Sequence, residues 1–437
     1  MLDEFQKRSV NHYTGPCLTI AGPGSGKTKC LVERVIHLIK HHQVPPEKIL
    51  VITFTRAAAK EMEERFRKEF KHIRKMPYFG TFHSFFFHIL ITEGLCRPSD
   101  VISDEGQLLL LKKVLDHLHI TVSLSDQWDV LKEFSYCRNL LIPPKKFRSE
   151  ILSKEFASAF HLYEQMKSTL GYLDYDDMMV RTRDLLTINR DVKERWKNKY
   201  SFILLDEVQD INALQYSVVK LLLNEEQNLY AVGDDDQSIY GFRGSDPKIM
   251  LSFQKEFKNA EMITLGYNYR SVKNIVKVSD KLIKNNRHRY DKDIQAFHDH
   301  EGDIRYHMFA DATDEAVFVL QRIKKHLSNP KHPTLGILYR RNKDCDKIKE
   351  LLEREHVEFE DLYTFHGAKG LEFDDVICIH VNERMVPSLG KGSDLEEERR
   401  MFYVAVTRAK HNLYVCCLKK KDGKLCHPSR FINEMQA

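Results

Sequence analysis

The stretch Ala21-Gly22-Pro23-Gly24-Ser25-Gly26-Lys27-Thr28 gathers glycines, a lysine and two hydroxyls in one short span. That combination suits the holding of a polyphosphate. Glycines let backbone N–H groups turn inward onto phosphate oxygens. Lys27 reaches the β- and γ-phosphates, and the Thr28 hydroxyl ligates Mg²⁺. Gly22, Gly24, Ser25 and Gly26 form the cradle, with Lys29 just behind it. The first position is Ala21, where the strict pattern has glycine. Further on, an acidic pair, Asp206-Glu207, ends an apolar run. Downstream of a phosphate loop, the first carboxylate holds Mg²⁺, directly or through water. The second activates the water that attacks the γ-phosphate. A third set lies in Gly233–Gly244: three aspartates, Gln237, Tyr240, Phe242 and Arg243. Gln237 has the reach to sense a γ-phosphate. The two rings and the arginine form a base-stacking platform with a phosphate contact.

Other residues complete these sets. The Gln6 amide both donates and accepts, as an adenine edge requires. Thr53-Phe54-Thr55 and Gly80-Thr81-Phe82-His83-Ser84 each put hydroxyls and a ring on one edge. Hydroxyls hold phosphates and rings stack on bases, so both suit a single-stranded nucleic acid. Taken singly, each is also ordinary loop chemistry. Arg270 and Arg408 are the candidates for an arginine that stabilises charge developing on the γ-phosphate.

The elements around these residues fit. Cys17–Ile20 reads as a buried strand before the loop. Leu31, Val35, Leu38 and Ile39 have helical spacing after it, so the loop meets the positive end of a helix dipole. Residues 49–54 form a second strand that runs into a strong helix former, residues 55–62. Residues 202–205 and 229–232 form two more strands. Every motif thus sits at a strand's carboxyl end, where open α/β sheets bind ligands. Residues 86–174 carry helical spacing only, as in Leu108–Leu111, Val114, Leu115 and Leu118. Helical pieces follow around 126–136 and 150–168, with Pro143-Pro144 between them. A second α/β unit follows residue 265. Its strands are 336–339, 376–379 and 413–417. One helix spans about 312–326, and another bears Cys345, Ile348, Leu351 and Leu352.

Composition narrows the class. A chain of 437 residues with 42% hydrophobic content has material for two to four packed domains. Its apolar runs are short, and residues 1–4 begin no signal segment, so a cytoplasmic protein is expected. Nine cysteines occur with no C-x-x-C spacing, which argues against zinc or iron–sulfur sites. A net charge of +5 permits a nucleic-acid partner without arguing for one.

Together the motifs resemble superfamily-one DNA helicases of the UvrD/Rep/PcrA type. The match runs through AGPGSGKT (21–28), TFTRAAAKEM (53–62), GTFHS (80–84), LDYDD (173–177), LLDEVQD (204–210), VGDDDQSIYGFRG (232–244), NYRS (268–271), ILYR (337–340), TFHGAKGLEF (364–373) and ERRMFYVAVTRA (398–409). The resemblance implies an α/β fold of two RecA-like P-loop NTPase motor domains, with a helical insertion in the first. Residues 1–85 and 175–265 would be the first motor domain, 86–174 the insertion, and 266–437 the second motor domain. It implies ATP and Mg²⁺ as cofactors and 3′→5′ movement along single-stranded DNA and single-strand/duplex junctions. By resemblance, Gln6 contacts adenine and Tyr269 stacks on it, while Glu372 contacts the ribose. Lys27, Thr28 and Asp206 hold phosphates and metal, and Glu207 is the general base. Gln237, Arg270 and Arg408 sense the γ-phosphate. Phe54, Thr55, His83, Tyr240, Phe242, Arg243 and His366 line the strand channel.

The chain departs from the family pattern in three places. Only 23 residues, 341–363, separate ILYR from TFHGAKG, where the family usually inserts a second accessory domain. Gly367 stands where many relatives carry serine. The chain ends soon after residue 432, so by the resemblance the tail that relatives use for partners is expected to be missing. An alternative follows: a DNA-stimulated ATPase switch that acts with a nuclease or repair partner, for example in phage defence, and unwinds little alone. A motor that uses RNA is a third reading.

Overall fold

Strands buried on both faces read as short unbroken apolar runs, the mark of a parallel sheet. In the computed structural model, which describes residues 2–328, 333–390 and 394–436, two such sheets form. The first contains β1 (Cys17–Ala21), β2 (Ile49–Thr53), β3 (Tyr78–Thr81), β4 (Phe202–Leu205), β5 (Leu229–Gly233) and β6 (Glu261–Leu265). Their spatial order is β3-β2-β4-β5-β1-β6. β2 pairs in parallel with β3 and β4, and β4 with β5. Every residue of β1, β2, β4 and β5 is buried. The chain divides into two compact units: Met1–Thr19, Thr28–Gly233 and Tyr240–Ile263, and Ile20–Lys27, Asp234–Ile239 and Thr264–Ala437.

Helices of the first unit carry their own start signals. Asp3 and Gln6 form a capping box on α1 (Glu4–Asn11). α2 (Lys27–His42) begins at the lysine of the phosphate loop. Thr55 caps α3 (Arg56–Glu69), and Thr81 caps α4 (Phe82–Thr92). The boundary expected at residue 86 falls inside α4, whose Phe85, Phe86, Ile89 and Leu90 are buried.

The expected helical insertion follows. α5 (Asp104–His117), α6 (Leu124–Asn139) and α7 (Phe156–Thr169) share a core that includes Leu111, Val114, Phe134, Phe156 and Tyr163. Leu109 of the leucine run is 58% exposed, because only one stripe of a helix can face a core. Buried charges tie this core to α8 (Tyr175–Ile188). Asp174 caps α8 and accepts from Lys167 Nζ at 2.5 Å. Arg138 Nη1 donates to both Asp174 oxygens at 3.1 Å, and Arg138 also pairs with Glu164. Lys167 lies 2.8 Å from Asp177 Oδ2. Glu164, Asp174 and Asp177 are spaced closely enough to ligate a metal ion, but these two cations already bond to them. The LDYDD stretch is therefore used to join α6, α7 and α8.

The second sheet shows why its central strands carry apolar runs. β9 (Ile304–Phe309), β10 (Leu335–Tyr339), β11 (Leu362–Thr364), β12 (Phe373–Cys378) and β13 (Ala409–Leu418) lie in the order β11-β10-β12-β13-β9, all parallel. Alternate residues point to opposite faces. Leu338, Val376, Cys378, Leu413 and Val415 pack against the helices Lys273–Ile283, Leu395–Val406 and Arg430–Gln436. Ile337, Tyr339, Ile377, Tyr414 and Cys416 pack against the helices Ala312–Leu327 and Asp346–Arg354. Helices cover both faces, as in a RecA-like domain, so the α/β reading with two motor-type sheets holds. Cys345 lies on the 3₁₀ turn before its expected helix, at the N-cap position. A separate two-stranded sheet joins β7 (Tyr267–Val272) to β8 (Gln295–His298).

Under the face covered by Ala312–Leu327 lies a buried pair. His380 N–H donates to Glu315 Oε1 at 3.1 Å, and His380 Nε2 is 3.3 Å from Glu315 Oε2. Burial pushes the Glu315 carboxyl up to about 8 and His380 down to about 4. Both groups are therefore neutral at pH 7.

Two measurements follow. Asp174→Ala leaves Arg138 and Lys167 buried with fewer partners, and we expect a loss of about 3–5 kcal/mol in urea unfolding. Glu315 holds its proton when folded and releases it when unfolded, between its ordinary range near 4.5 and about 8. Its contribution is complete below the unfolded value and is lost as pH rises through the folded one. His380, neutral when folded but charged below about 6.5 when unfolded, opposes this over the lower part of the window, so stability should fall chiefly between about 6.5 and 8, and Glu315→Gln should remove that fall.

Candidate functional site

The phosphate loop leaves β1 and enters α2. Ser25 closes it, its Oγ donating to the Gly22 carbonyl at 2.8 Å. Gly24 and Gly26 take φ of +66° and +83°, a region that side chains disfavour. Gly24 is needed for space as well, since a Cβ there would meet Arg270 Cβ at 2.5 Å. The Tyr269 N–H donates to the Gly24 carbonyl at 2.9 Å. Tyr269 and Arg270 are thus brought to the loop. The Tyr269 ring also meets Phe297, with centroids 4.7 Å apart. Gln6 is buried, and its Oε1 accepts from the Asp3 N–H at 3.2 Å, which fixes the amide.

The acidic pair sits where β4 ends. Thr53 Oγ1 donates to Asp206 Oδ2 at 3.1 Å and links the carboxyl ends of β2 and β4. Asp206 is buried, and a buried carboxylate beside a hydroxyl is a donor set that Mg²⁺ accepts. Glu207 takes a left-handed φ of +51°, and Gln209 donates to its carboxylate. A non-glycine residue held in that conformation marks a side chain aimed by its surroundings.

The γ-phosphate candidates meet in the second unit. Arg408 is buried, and its Nη2 donates to Gln237 Oε1 at 3.3 Å. Its other donors bond to the carbonyls of Val404 and Leu371. Arg270 Nε donates to Glu372 Oε2 at 2.9 Å, and Lys410 lies 2.8 Å from Glu372 Oε1. Burial acts to raise the Glu372 carboxyl, but Lys410 and Arg270 outweigh it and hold it below the ordinary range. His366 is half-buried in the turn that follows β11.

Five nucleic-acid candidates of the first unit, Phe54, His83, Tyr240, Phe242 and Arg243, line one cavity of about 690 Å³. Phe54 and Tyr240 stack at 5.4 Å with planes 9° apart. The Arg243 guanidinium lies 5.3 Å from the Tyr240 ring centre and 5.4 Å from that of Phe242. Burial and the nearby Arg56 hold His83 below the ordinary histidine range, so it faces the cavity as a neutral ring. Thr55 is exposed, and its hydroxyl accepts from the Ala58 N–H at 3.1 Å. Arg56, rather than Thr55, reaches the cavity wall. Sequence reasoning missed Trp128 and Lys132, which line the cavity from α6. An aromatic and a lysine four residues apart share a helix face, and that spacing was the available signal.

Eight of the nine cysteines are buried and Cys426 is partly so. Burial pushes thiols such as Cys17 and Cys30 up to about 12, which leaves them unreactive. Among the described residues, no helix is long and apolar enough to cross a membrane.

Comparison with known families agrees with the motifs. The UvrD/REP helicase N-terminal domain matches residues 2–258, and the UvrD-like helicase C-terminal domain matches residues 263–362 and 361–420. The YjcD protein of Bacillus subtilis is 34% identical over 368 residues, 82% of this chain and 48% of YjcD. The ATP-dependent DNA helicase PcrA of Staphylococcus aureus is 34% identical over 372 residues, 83% of this chain and 50% of that protein. PcrA of Staphylococcus epidermidis is 34% identical over 376 residues, 84% of this chain and 51% of that protein. The chain spans about half the length of the curated relatives it matches. With both halves of the helicase pattern matched in order along one chain, the protein belongs to the UvrD/REP helicase family.

Proposed function

We propose that this chain is an ATP-dependent single-stranded DNA translocase and helicase that moves 3′→5′. The observation that carries the reading is the loop after β5. That one loop holds Gln237, bonded to Arg408, and a few residues later Tyr240, Phe242 and Arg243 on the wall of the aromatic cavity. A γ-phosphate sensor and a base-stacking platform on one short segment can move together. ATP turnover can then change the grip on a strand.

The proposed roles follow from the chemistry of each group. Gly22, Gly24, Ser25, Gly26, Lys27, Thr28 and Lys29 hold the phosphates. Thr28 and Asp206 hold Mg²⁺, which supplies charge neutralisation when bound. Glu207 accepts the proton of the attacking water. Gln237, Arg270 and Arg408 stabilise charge on the γ-phosphate. Gln6 and Tyr269 take the adenine and Glu372 the ribose. Phe54, Thr55, His83, Tyr240, Phe242, Arg243 and His366 take the strand through stacking and phosphate contacts. We assign residues 1–85 and 175–265 to a first motor domain, 86–174 to an accessory insertion and 266–437 to a second motor domain.

A second reading has its own observation. Between β10 and β11 the chain holds one 3₁₀ turn, Asn342–Cys345, and one helix, Asp346–Arg354. Nothing of domain size fits there to engage a duplex. That favours a strand-stimulated ATPase switch working with a nuclease or repair partner.

Lys27→Ala should lower strand-stimulated ATP turnover by on the order of 10²–10³-fold, as loss of one preorganised charge-stabilising donor does. Its thermal midpoint should stay close to that of the parent. Unchanged turnover would remove Lys27 from the site. Strand displacement on a duplex with a 3′ single-stranded tail, with ATPase followed in the same tube, separates the two readings. Displacement supports the autonomous helicase. Strand-stimulated ATPase without displacement supports the switch.

A further inference from the structure

Asp234, Asp235 and Asp236 follow β5 in succession, and all three are buried. Three adjoining carboxylates out of water repel one another and lose hydration, so they stay charged only with partners. Lys292 supplies the partner. It is itself buried, and its Nζ donates to Asp234 Oδ1 at 2.6 Å and to Asp235 Oδ1 at 2.7 Å. It also lies 2.7 Å from Asp236 Oδ2. An ammonium has three donors, and here each has a carboxylate. Arg289 adds a two-point grip on Asp236, at 2.9 and 2.8 Å. The Tyr290 N–H donates to Asp235 Oδ2 at 2.8 Å. Burial works to strip the Lys292 proton, and the three carboxylates outweigh it.

The cluster does more than hold the turn in place. Asp234 has two oxygens in one plane. Lys292 fixes the first, and the second accepts from Gln237 Nε2 at 2.6 Å. Gln237 Oε1 in turn accepts from Arg408. A chain of bonds therefore runs Lys292–Asp234–Gln237–Arg408. It ends on two groups that the proposed function places on the γ-phosphate. An amide rotates freely about its last bond unless something holds it, and its N–H and C=O ends are not interchangeable toward phosphate. We infer that Lys292 is a positioning residue for ATP hydrolysis: through Asp234 it sets which end of the Gln237 amide meets Arg408 and which is presented to the nucleotide. The same segment approaches the phosphate loop two residues on, where a Cβ on Gly22 would meet Ile294 Cδ1 at 2.2 Å. The inference rests on the reading of the chain as an ATPase.

The test uses the full chain with single-stranded DNA. Lys292→Met keeps the stem and removes the ammonium. We expect kcat for ATP to fall on the order of tenfold, with KM changed less than about twofold, because the loss concerns orientation in the transition state rather than binding. The deciding measurement is a double-mutant cycle with Gln237→Ala. If Lys292 acts through Gln237, adding Lys292→Met to Gln237→Ala costs little more. Losses that multiply overturn the inference and leave a merely structural role. Should Lys292→Met not fold, Lys292→Arg keeps the buried cation, but a planar guanidinium does not reproduce a three-donor point charge. The same fall in kcat and the same non-additivity are then expected, and full kcat overturns the inference. Absence of ATPase in the parent protein overturns the functional reading and this inference with it. Turnover lost in Lys27→Ala, with multiplying losses at residues 292 and 237, overturns this inference alone.

Discussion

Parallel strand pairing is the constraint on which the rest depends. When neighbouring strands run the same way, their carboxyl ends fall along one edge, and each crossover helix must return to the other. In the first sheet, Asp206 follows β4, the Thr53–Thr55 stretch ends β2, and the loop with Gln237 follows β5. None of these residues is near another in sequence. The sheet makes Thr53 and Asp206 neighbours, and the bond between them is direct evidence of it. The second sheet is parallel throughout and carries helices on both faces, which leaves its strand-end loops as the places for polar chemistry.

Two buried lysines show how this protein fixes polar segments. Lys167 joins Asp174 and Asp177 beneath the insertion, and Lys292 joins three aspartates at the end of β5. Each is buried, and each meets more carboxylates than a surface ion pair would. Burying such charges gives little net stability, because desolvation offsets most of the attraction. What it gives is a single geometry. A half-paired arrangement would leave an uncompensated charge away from water, so alternatives are penalised heavily. That is useful where an amide or a helix start must point one way. Glu315 and His380 solve the same problem oppositely, by staying neutral.

The aromatic cavity follows a third logic. Phe54 comes from the end of β2, Tyr240 from the loop after β5, and Trp128 from the insertion. Rings are costly to leave in water and tolerant of what stacks on them. The rings share the cavity wall with charged and amide side chains such as Arg56, Asp104, Gln107 and Asn212, so apolar stacking faces and polar groups stand side by side there.

Much of this was legible in the residues. Apolar runs marked β1, β2, β4, β5, β10, β12 and β13, because a strand buried on both faces leaves no room for polar alternation. The phosphate loop, Asp206-Glu207 and the Gln237–Arg243 stretch announced their chemistry by residue type and spacing. β8 and β11 were not legible, since they are short and partly exposed and carry no unbroken apolar run. Cys345 seemed helical because its apolar spacing continues the helix, yet the first hydrogen-bonded turn there is 3₁₀. The sequence by itself determined the fold class, the family and the list of reactive groups, because these depend on local pattern. Only the tertiary structure decided which groups meet. Lys292 with Asp234, Arg408 with Gln237 and Arg270 with Glu372 are pairs far apart in the chain. Pairings of that kind are set by how strands are ordered in a sheet and how helices cover it, and no local pattern carries that information.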